Sequence, residues 1–191
     1  MRKRQEGFTA IELMTVVVIV AILAVLAGPS FSDFMDRYRL RGAVDDVVSV
    51  ISNARSGAVK LDREVRVTYR GSDANWCVGA VSAPPPSGGA RAGAATACDC
   101  RNDSPACSVA DEVVKTAVGK HAGVALSGAA TELVFDGQLG LATGSGGALG
   151  TSSSTFASPR NKYFLRVDVS PLGQATVCVP SGPAVVGYNA C

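Results

Sequence analysis

The sequence holds few side chains suited to acid–base or nucleophilic catalysis, and these lack the usual partners. His121 is the single histidine in 191 residues and lies in a loop-like stretch at 119–123. A Ser-His-Asp triad would have to use it, but there is no Gly-x-Ser-x-Gly motif, and Gly119-Lys120 lacks the upstream glycine of a phosphate-binding loop. We therefore predict a solvated His121, no catalytic residue, no cofactor and no enzymatic activity.

A second chemically distinctive residue is Glu12, a carboxylate inside an apolar stretch. Between Leu13 and Ala27 only Thr15 is polar, and residues 8–27 as a helix would extend roughly 30 Å, about the thickness of a bilayer core. A carboxylate there costs about 2.5–3.5 kcal/mol on insertion scales and normally marks a partner. The sequence thus predicts a membrane-spanning helix whose Glu12 has a cationic partner.

Three interpretations of this N-terminus compete: a removable secretory signal, a permanent anchor, and a precursor cleaved between Gly7 and Phe8 that keeps the apolar helix. The basic residues at 2–4 favour a cytoplasmic start, which places the chain after Pro29 outside. A signal peptide that is removed after export has no use for a carboxylate that makes membrane insertion less favourable, so Glu12 disfavours the first interpretation. Cleavage before Phe8 would free an amine that could pair with Glu12 of a neighbouring subunit, so we favour the third interpretation.

The stretch Gly7-Phe8-Thr-Ala-Ile-Glu12-Leu resembles the type III signal of type IV pilins and type II secretion pseudopilins. The resemblance implies that a prepilin peptidase cuts after Gly7 and methylates Phe8. It also implies an assembly salt bridge at Glu12, which is the fifth mature residue. Pro29 falls where many pilins carry a helix-perturbing proline, so the resemblance also implies a kink of the helix at Pro29.

Beyond Pro29 the apolar residues recur in steps of three and four up to Leu61, which predicts an amphipathic continuation of the helix ending near 61–63. We interpret Arg37, Arg39 and Arg41 as a solvated face balanced by nearby aspartates. The alternative is a phosphate-binding ladder.

Alternating and apolar runs after this helix predict strands. The predicted segments are 65–69, 76–81, 112–118, 124–126, 132–135, 163–169 and 176–179. Asp136-Gly137 and Ser170-Pro-Leu-Gly173 are hairpin-turn signals. Stretches rich in Gly, Pro, Ser and Ala predict exposed loops over 82–110 and 142–155.

The body of the chain resembles the GspH/FimT subset of pilin-like proteins. The matching motifs are Asn53-Ala-Arg-Ser-Gly57-Ala58, Trp76-Cys-Val-Gly79 and the strand–turn–strand over 167–177. Gly57 departs mildly from the charged or small residue usual there. The resemblance implies an α+β pilin-like fold, in which a long, half-transmembrane N-terminal helix packs against a C-terminal antiparallel sheet domain. The expected regions are a leader at 1–7, a transmembrane and filament-core helix at 8–28, its continuation at 29–63 and a β-rich head at 64–191.

Six cysteines follow the apolar segment: Cys77, Cys98, Cys100, Cys107, Cys178 and Cys191. An even count beyond an export segment predicts up to three disulfides in an oxidising periplasm. We expect Cys178–Cys191 to close the C-terminal tail. The neighbouring Cys98 and Cys100 are too close to pair with each other, so we expect them to bond to Cys77 and Cys107. A metal site is the alternative, but the Cys-x-x-Cys pairs of structural zinc sites are missing, and no metal is predicted.

DNA binding is the alternative function, because some FimT-like pilins bind DNA through a Gly-Arg-x-Arg stretch near the C-terminus. The corresponding place here reads Gly173-Gln-Ala-Thr, and no Lys or Arg follows Arg166. Without such cations the salt-dependent term that dominates non-specific DNA affinity is lost. Arg160, Lys162 and Arg166 remain as a basic patch that we expect to share one strand face with Phe164.

The charge distribution agrees with a processed precursor. The leader carries three basic side chains and one acidic one, so the whole formal net charge of +2 lies in the segment to be removed. We predict a minor pilin or pseudopilin of the inner membrane, single-pass with its head in the periplasm, which then enters a filament. Its expected partners are other pilin subunits, the prepilin peptidase, the assembly platform and the lipid bilayer. The sequence does not separate a type IV pilus from a type II secretion pseudopilus.

Overall fold

The computed structural model describes residues 8–86, 93–102, 105–128, 132–144 and 149–191, and only the backbone of 26–29. They form two compact units, an N-terminal unit ending at Met35 and a globular unit, Asp36–Cys191. One helix, α1 (Ala10–Leu61), supplies the N-terminal unit and the first element of the globular unit. The predicted leader at 1–7 lies outside the described residues.

Both ends of α1 are capped by local hydrogen bonds. At the start, the N–H of Glu12 is shared between Thr9 O at 3.1 Å and Thr9 Oγ1 at 3.4 Å, so Thr9 caps the first turn. At the other end Asp62 adopts a φ of 50°, and the N–H of Arg63 donates to Ala58 O at 3.2 Å. This is the bonding pattern of a Schellman cap, and it confirms the predicted helix end.

Short strands make up most of the remaining regular structure. They are β1 (Val65–Arg70), β2 (Cys77–Ser82), β3 (Ser108–Val109), β4 (Glu112–Val113), β5 (Ala125–Leu126), β6 (Leu133–Phe135), β7 (Ala142–Thr143), β8 (Ser152–Ala157), β9 (Phe164–Val169) and β10 (Ala175–Cys178). Two four-stranded antiparallel sheets have the orders β2-β1-β6-β7 and β10-β9-β8-β5, and β3 and β4 form a two-stranded ribbon. The α+β class predicted from the sequence is therefore confirmed.

The hydrophobic core of the globular unit lies between α1 and the two sheets. Its largest completely buried members are Leu40, Val44, Val47 and Ile51 on the helix, Val65, Val67, Leu133 and Phe135 on the first sheet, and Phe156 and Leu165 on the second. Each such side chain contributes about 1.5–3 kcal/mol relative to exposure. From Leu40 onward the helical periodicity thus marks the side of α1 that the sheets cover, whereas Phe31, Phe34 and Tyr38 are exposed.

The predicted loops contain strands that composition does not reveal. β7 lies within the stretch 142–155 predicted as a loop, β8 begins within it and continues to Ala157, and β3 lies within 82–110. The prediction of uninterrupted loops is therefore wrong at these places, whereas residues 87–92 and 145–148 lie outside the described part. β8 begins Ser-Ser-Ser-Thr, yet its backbone pairs with β9 along its whole length and with β5 at Phe156 and Ala157. Ser152 and Ser154 of this strand are buried. The predicted strand over 112–118 shortens to β4.

Both predicted hairpins form, with different turns. Between β9 and β10 the N–H of Gly173 donates to Ser170 O at 2.8 Å, and Gly173 has a φ of 74°. This is a type I turn closed by a left-handed glycine. The link from β6 to β7 is longer than the two-residue turn indicated by Asp136-Gly137. It is held by the Asp136 carboxylate, which accepts the backbone N–H groups of Gln138, Leu139 and Leu141 at 2.6–2.8 Å.

Candidate functional site

The N-terminal unit presents an apolar helical surface with nothing of the same unit over it. Every side chain from Phe8 to Val25 is exposed, and the large apolar ones expose between 51% (Val18) and 82% (Phe8) of their surface. A surface this apolar over more than four helical turns requires a cover of lipid or protein. Among the described residues, no single helix is long and apolar enough to span a membrane. The two stretches of α1 on either side of residues 26–29, Ala10–Val25 and Ser30–Leu61, satisfy this criterion only when they are taken together.

Glu12 is an acidic residue in the first turn of α1, among exposed apolar neighbours. Its backbone is satisfied, because its N–H donates to Thr9 O at 3.1 Å and its carbonyl accepts Thr15 Oγ1 at 2.9 Å. Its carboxylate lies near the positive end of the helix dipole. No ion pair to Glu12 occurs within the described part of the chain. Gly7 and the side chain of Pro29 lie outside the described residues, so cleavage and the kink remain predictions.

Inside the globular unit, the part of α1 that begins at Asp36 is tied to distant segments by charged side chains. Asp36 is buried and accepts Arg160 Nε at 2.7 Å. The Arg37 guanidinium lies 5.5 Å from the ring centre of Tyr163, within cation–π range. Arg41 donates to Val186 O in the C-terminal tail. Of the three arginines interpreted as a solvated face, Arg39 is exposed as expected, whereas Arg37 and Arg41 are half-buried. Both have long-range partners that periodicity cannot show.

His121 is not the solvated surface residue that the sequence indicated. Its side chain is 14% exposed, its Nε2 lies 2.7 Å from Asp46 Oδ2, and its ring stacks on Trp76 with centroids 6.4 Å apart. Lys120 Nζ lies 2.7 Å from the same carboxylate oxygen. Burial acts to raise the pKa of Asp46, but the hydrogen bonds and charges of Lys120 and His121 outweigh it and lower that pKa. The prediction failed because Asp46 and Trp76 are distant in sequence.

Two disulfides form a buried cluster at the edge of the first sheet. The bonds are Cys77–Cys100 and Cys98–Cys107, and all four cysteines are at most 3% exposed. Gly79 lies beneath them: a Cβ built on it would overlap Cys107 Sγ. The cluster therefore anchors the segment after β2 to the sheet, and it depends on a residue without a side chain at position 79.

The third disulfide closes the C-terminal tail. Cys178, at the end of β10, bonds to Cys191. The tail also pairs with the sheet, since the N–H of Val179 donates to Asn189 O at 2.8 Å and that of Cys191 to Val179 O at 3.1 Å. Asp168 lies close to both sulfurs, but sulfur atoms joined to each other do not serve as thiolate ligands. This cluster therefore does not support a metal site.

Two of the three cations in the basic patch, which remained from the disfavoured DNA-binding alternative, pair with carboxylates in the structure. Arg160 pairs with Asp36, and Arg166 pairs with Asp168 at 2.9 Å. Lys162 Nζ lies 5.4 Å from the ring centre of Tyr163. Cations held by carboxylates of their own chain have less to gain from phosphate. Sequence reasoning missed Asp36 because it lies 124 positions from Arg160. Asp168 lies only two positions from Arg166, the spacing at which side chains share one face of a strand, so this local signal could have identified it.

Comparison with known proteins gives matches along most of the chain. Residues 43–173 match the family model described as Type II transport protein GspH, and residues 2–28 match the prokaryotic N-terminal methylation motif. A fimbrial protein of Pseudomonas aeruginosa is 36% identical over 77 residues, which are 40% of this chain and 49% of that protein. The type IV major fimbrial protein FimA of Dichelobacter nodosus is 38% identical over 64 residues, 31% of this chain and 40% of its own.

The chain thus spans about half the length of the curated relatives it matches. Among solved structures, the type IV minor pilin FimU of Pseudomonas aeruginosa strain PAO1 is similar with a TM-score of 0.48 at 14% identity, covering 78% of this chain and 98% of that one. Since the GspH model alone matches more than half of the sequence and the methylation motif precedes it, the chain belongs to the GspH family of type IV pilin-like proteins.

Proposed function

We propose that this protein is a minor pilin or pseudopilin, a structural subunit that supports the initiation and assembly of a type IV pilus or type II secretion pseudopilus. Membership of a family of structural filament proteins means that it is not an enzyme. Its precursor is cleaved between Gly7 and Phe8 by the prepilin peptidase, which then methylates Phe8. The helix at 8–28 crosses the inner membrane once, with the rest of the chain in the periplasm, until the assembly platform draws the subunit into the filament.

The observation that carries this proposal is the exposed apolar segment from Phe8 to Val25 with the single carboxylate of Glu12 near its start. Lipid covers such a surface before assembly, and the helices of other subunits replace lipid afterwards. Van der Waals packing and polar contacts drive helix association there, because lipid and side chains are equally apolar. Glu12 fixes the register of the helices by pairing with the N-terminal amine of a neighbouring Phe8.

The experiment is mass spectrometry of the protein extracted from membranes, followed by immunoblotting of sheared filaments. We expect a mature chain that starts at N-methylated Phe8 and is present in the filament fraction. Glu12→Gln keeps the size and removes the charge, so we expect normal cleavage and at least about a tenfold loss from filaments, consistent with the cost of a buried unpaired partner. Thr15→Ala, one turn further along the same helix, is the matched control and should assemble normally.

Two outcomes would contradict the proposal. One is an intact Met1 or a mature start after the apolar segment, since either would mean an anchor or a conventional signal. The other is normal filament incorporation of Glu12→Gln.

DNA uptake, the alternative function, is not supported at the basic patch, because Arg160 and Arg166 are paired with carboxylates. A gel shift at low salt should show no retarded band.

A further inference from the structure

The outer edge of β10 is partly open. The N–H of Ser170 donates to Gln174 O at 2.9 Å, which makes these residues a hydrogen-bonded pair at the start of the β9–β10 ladder. Bonding alternates along an antiparallel ladder, so Thr176 bonds to β9, whereas Ala175 and Val177 direct their N–H and C=O groups away from it. β10 lies at the edge of its sheet, and neither outward residue has another backbone partner within the described part of the chain.

The open stretch has a defined length. Beyond its end, the N–H of Val179 donates to Asn189 O at 2.8 Å and its carbonyl accepts the N–H of Cys191, so the C-terminal tail already covers the edge there. Before its start, the N–H of Gly173 is used within the hairpin turn, where it donates to Ser170 O. The remaining edge therefore accommodates a short added strand, which is a recurring mode of peptide recognition.

α1 faces this open edge across a groove of about 370 Å³. Val48, Ser52 and Arg55 line the groove from the helix, and the start of β10 lines it from the sheet. An added strand would continue the pleat of the sheet, so its alternate side chains would lie on the core side, as those of Ala175 and Val177 do. Side chains at positions i and i+2 of the added strand therefore share the face that covers the helix wall.

Arg55 gives the groove a charge. It is the one charged side chain among the described residues that line the groove. Its Nε donates to Gly140 O at 3.2 Å, and no carboxylate in the described ranges pairs with its guanidinium. A guanidinium bonded to a neutral carbonyl keeps further N–H groups for a carboxylate, with which it forms stronger, charge-assisted bonds.

Two turns hold the Arg55 side chain in position. A Cβ built on Gly140 would lie 3.2 Å from Arg55 Cγ, and one built on Gly173 would lie 2.8 Å from Arg55 Nε, so both turns approach it closely. Leu139 and Leu172, which precede these glycines, expose 69% and 60% of their surface. Contacts around a central anchor strengthen it in a complex by excluding water. The groove therefore suits an extended segment that carries a carboxylate.

We propose that this groove binds an extended segment of a different pilin-like subunit, which adds a strand to β10 and directs an aspartate or glutamate to Arg55. The inference rests on the proposed function, because it names a contact of the globular unit inside the filament. A minor subunit has other subunits as neighbours, so the occupant is a different protein and not a second copy of this chain. Charge complementarity with Arg55 and the open backbone edge define the chemistry of that segment.

The test uses the full-length protein in filament-producing cells, with the photo-crosslinker p-benzoylphenylalanine in place of Gln174, an exposed residue at the rim of the groove. We expect an adduct with another protein that carries the N-terminal methylation motif, and a crosslinked peptide that contains an aspartate or glutamate. Arg55→Glu should reduce this adduct about tenfold or more, as expected for reversal of a close interfacial charge. Changing the mapped carboxylate of the partner to arginine should restore it.

Ala175→Pro tests the strand addition separately from the charge. Proline removes an N–H that faces away from β9, so the ladder and the circular dichroism should stay unchanged. The adduct should fall about fivefold or more, because the added strand loses a hydrogen-bond donor and meets the proline ring. Ala175→Ser keeps the N–H and is the matched control. Arg39→Glu, the same charge reversal at an exposed position of α1 outside the groove, is the control for Arg55→Glu.

Four results would overturn the inference: no adduct, an adduct between two copies of this chain, a crosslinked peptide without a carboxylate, or no restoration by the reversed charge pair. An unchanged adduct in a folded Ala175→Pro variant would likewise exclude strand addition. If that variant unfolds, the charge reversal and its restoration still decide the inference. Absence of the wild type from filaments would instead contradict the proposed function, so the two failures are distinguishable.

Discussion

At the scale of single residues, the globular unit depends on close approaches that only the absence of a side chain allows. Gly79 lies under the Cys98–Cys107 disulfide, and Gly57 lets Val109 of β3 reach α1. Gly57 was the one departure that we noted from the family motif, and its contact with Val109 gives that departure a physical reason. Overpacking at such positions forces the backbone or its neighbours to move and typically costs about 1–3 kcal/mol.

Gly79→Val should therefore destabilise the protein by about 1–3 kcal/mol, because the added side chain overlaps Cys107 Sγ and displaces the buried disulfide. We expect a lower thermal midpoint and thiols that react under denaturing conditions, measured by calorimetry and thiol titration. Gly144→Ala is the matched control, since a Cβ there meets nothing within 4 Å. An unchanged midpoint for Gly79→Val would contradict this account of the cluster.

At the scale of elements, a hydrogen-bonded carboxylate stabilises the connection between β6 and β7, where the sequence indicated a two-residue turn. Asp136 holds the β6–β7 connection by accepting three backbone N–H groups. Burial acts to raise its pKa, but the hydrogen bonds from Leu139, Leu141 and Gln138 outweigh burial and lower it. Because the pKa is lower in the folded state than in the unfolded chain, the stabilisation is present above the unfolded pKa of about 3.9 and is lost as the pH falls through the folded value.

Asp136→Ala should reduce the free energy of unfolding by about 1–3 kcal/mol at pH 7, because three amides lose their acceptor. The difference from wild type should shrink at pH 3, where protonation weakens the wild-type carboxylate as well. Urea unfolding at the two pH values measures both quantities. Glu64→Gln, at an exposed position, is the control and should match wild type at pH 7. A penalty that stays constant with pH would show that the charge plays no part.

At the scale of the whole molecule, the globular unit is held together by long-range polar contacts and disulfides as well as by its core. Arg41, Asp46 and Asp36 on α1 reach the C-terminal tail, the loop at 119–123 and the segment before β9. The tail is also closed on β10 by Cys178–Cys191. A small domain with short strands gains much of its stability from such links.

The double substitution Cys178→Ser/Cys191→Ser should lower the free energy of unfolding by about 3 kcal/mol, the chain-entropy value for a loop of this size. Release of the tail should also make the amides of Val179 and Cys191 exchange faster with solvent, which hydrogen exchange measures. The far-UV circular dichroism should stay unchanged, because α1 and both sheets remain. Protection of those amides at the wild-type level would contradict the role of the disulfide in holding the tail.

The sequence by itself determined the features that depend on local order. Glu12 within an apolar run and the periodicity of α1 indicate the helix and the family, because hydrophobic pattern and cap chemistry act over a few residues. Cleavage between Gly7 and Phe8 stays a prediction. The even number of cysteines likewise predicted up to three disulfides, and three form. The hairpins at 136–137 and 170–173 followed from glycine, proline and aspartate turn preferences.

Only the tertiary structure decided the features that depend on partners distant in the chain. β8 is a strand because β9 and β5 cover it, although its composition resembles a loop. His121 is partly buried because Asp46 and Trp76 fold against it. Arg160 is less available to bind phosphate because it forms an ion pair with Asp36. Hydrogen bonds, ion pairs and burial of this kind form between chain segments that no local pattern connects.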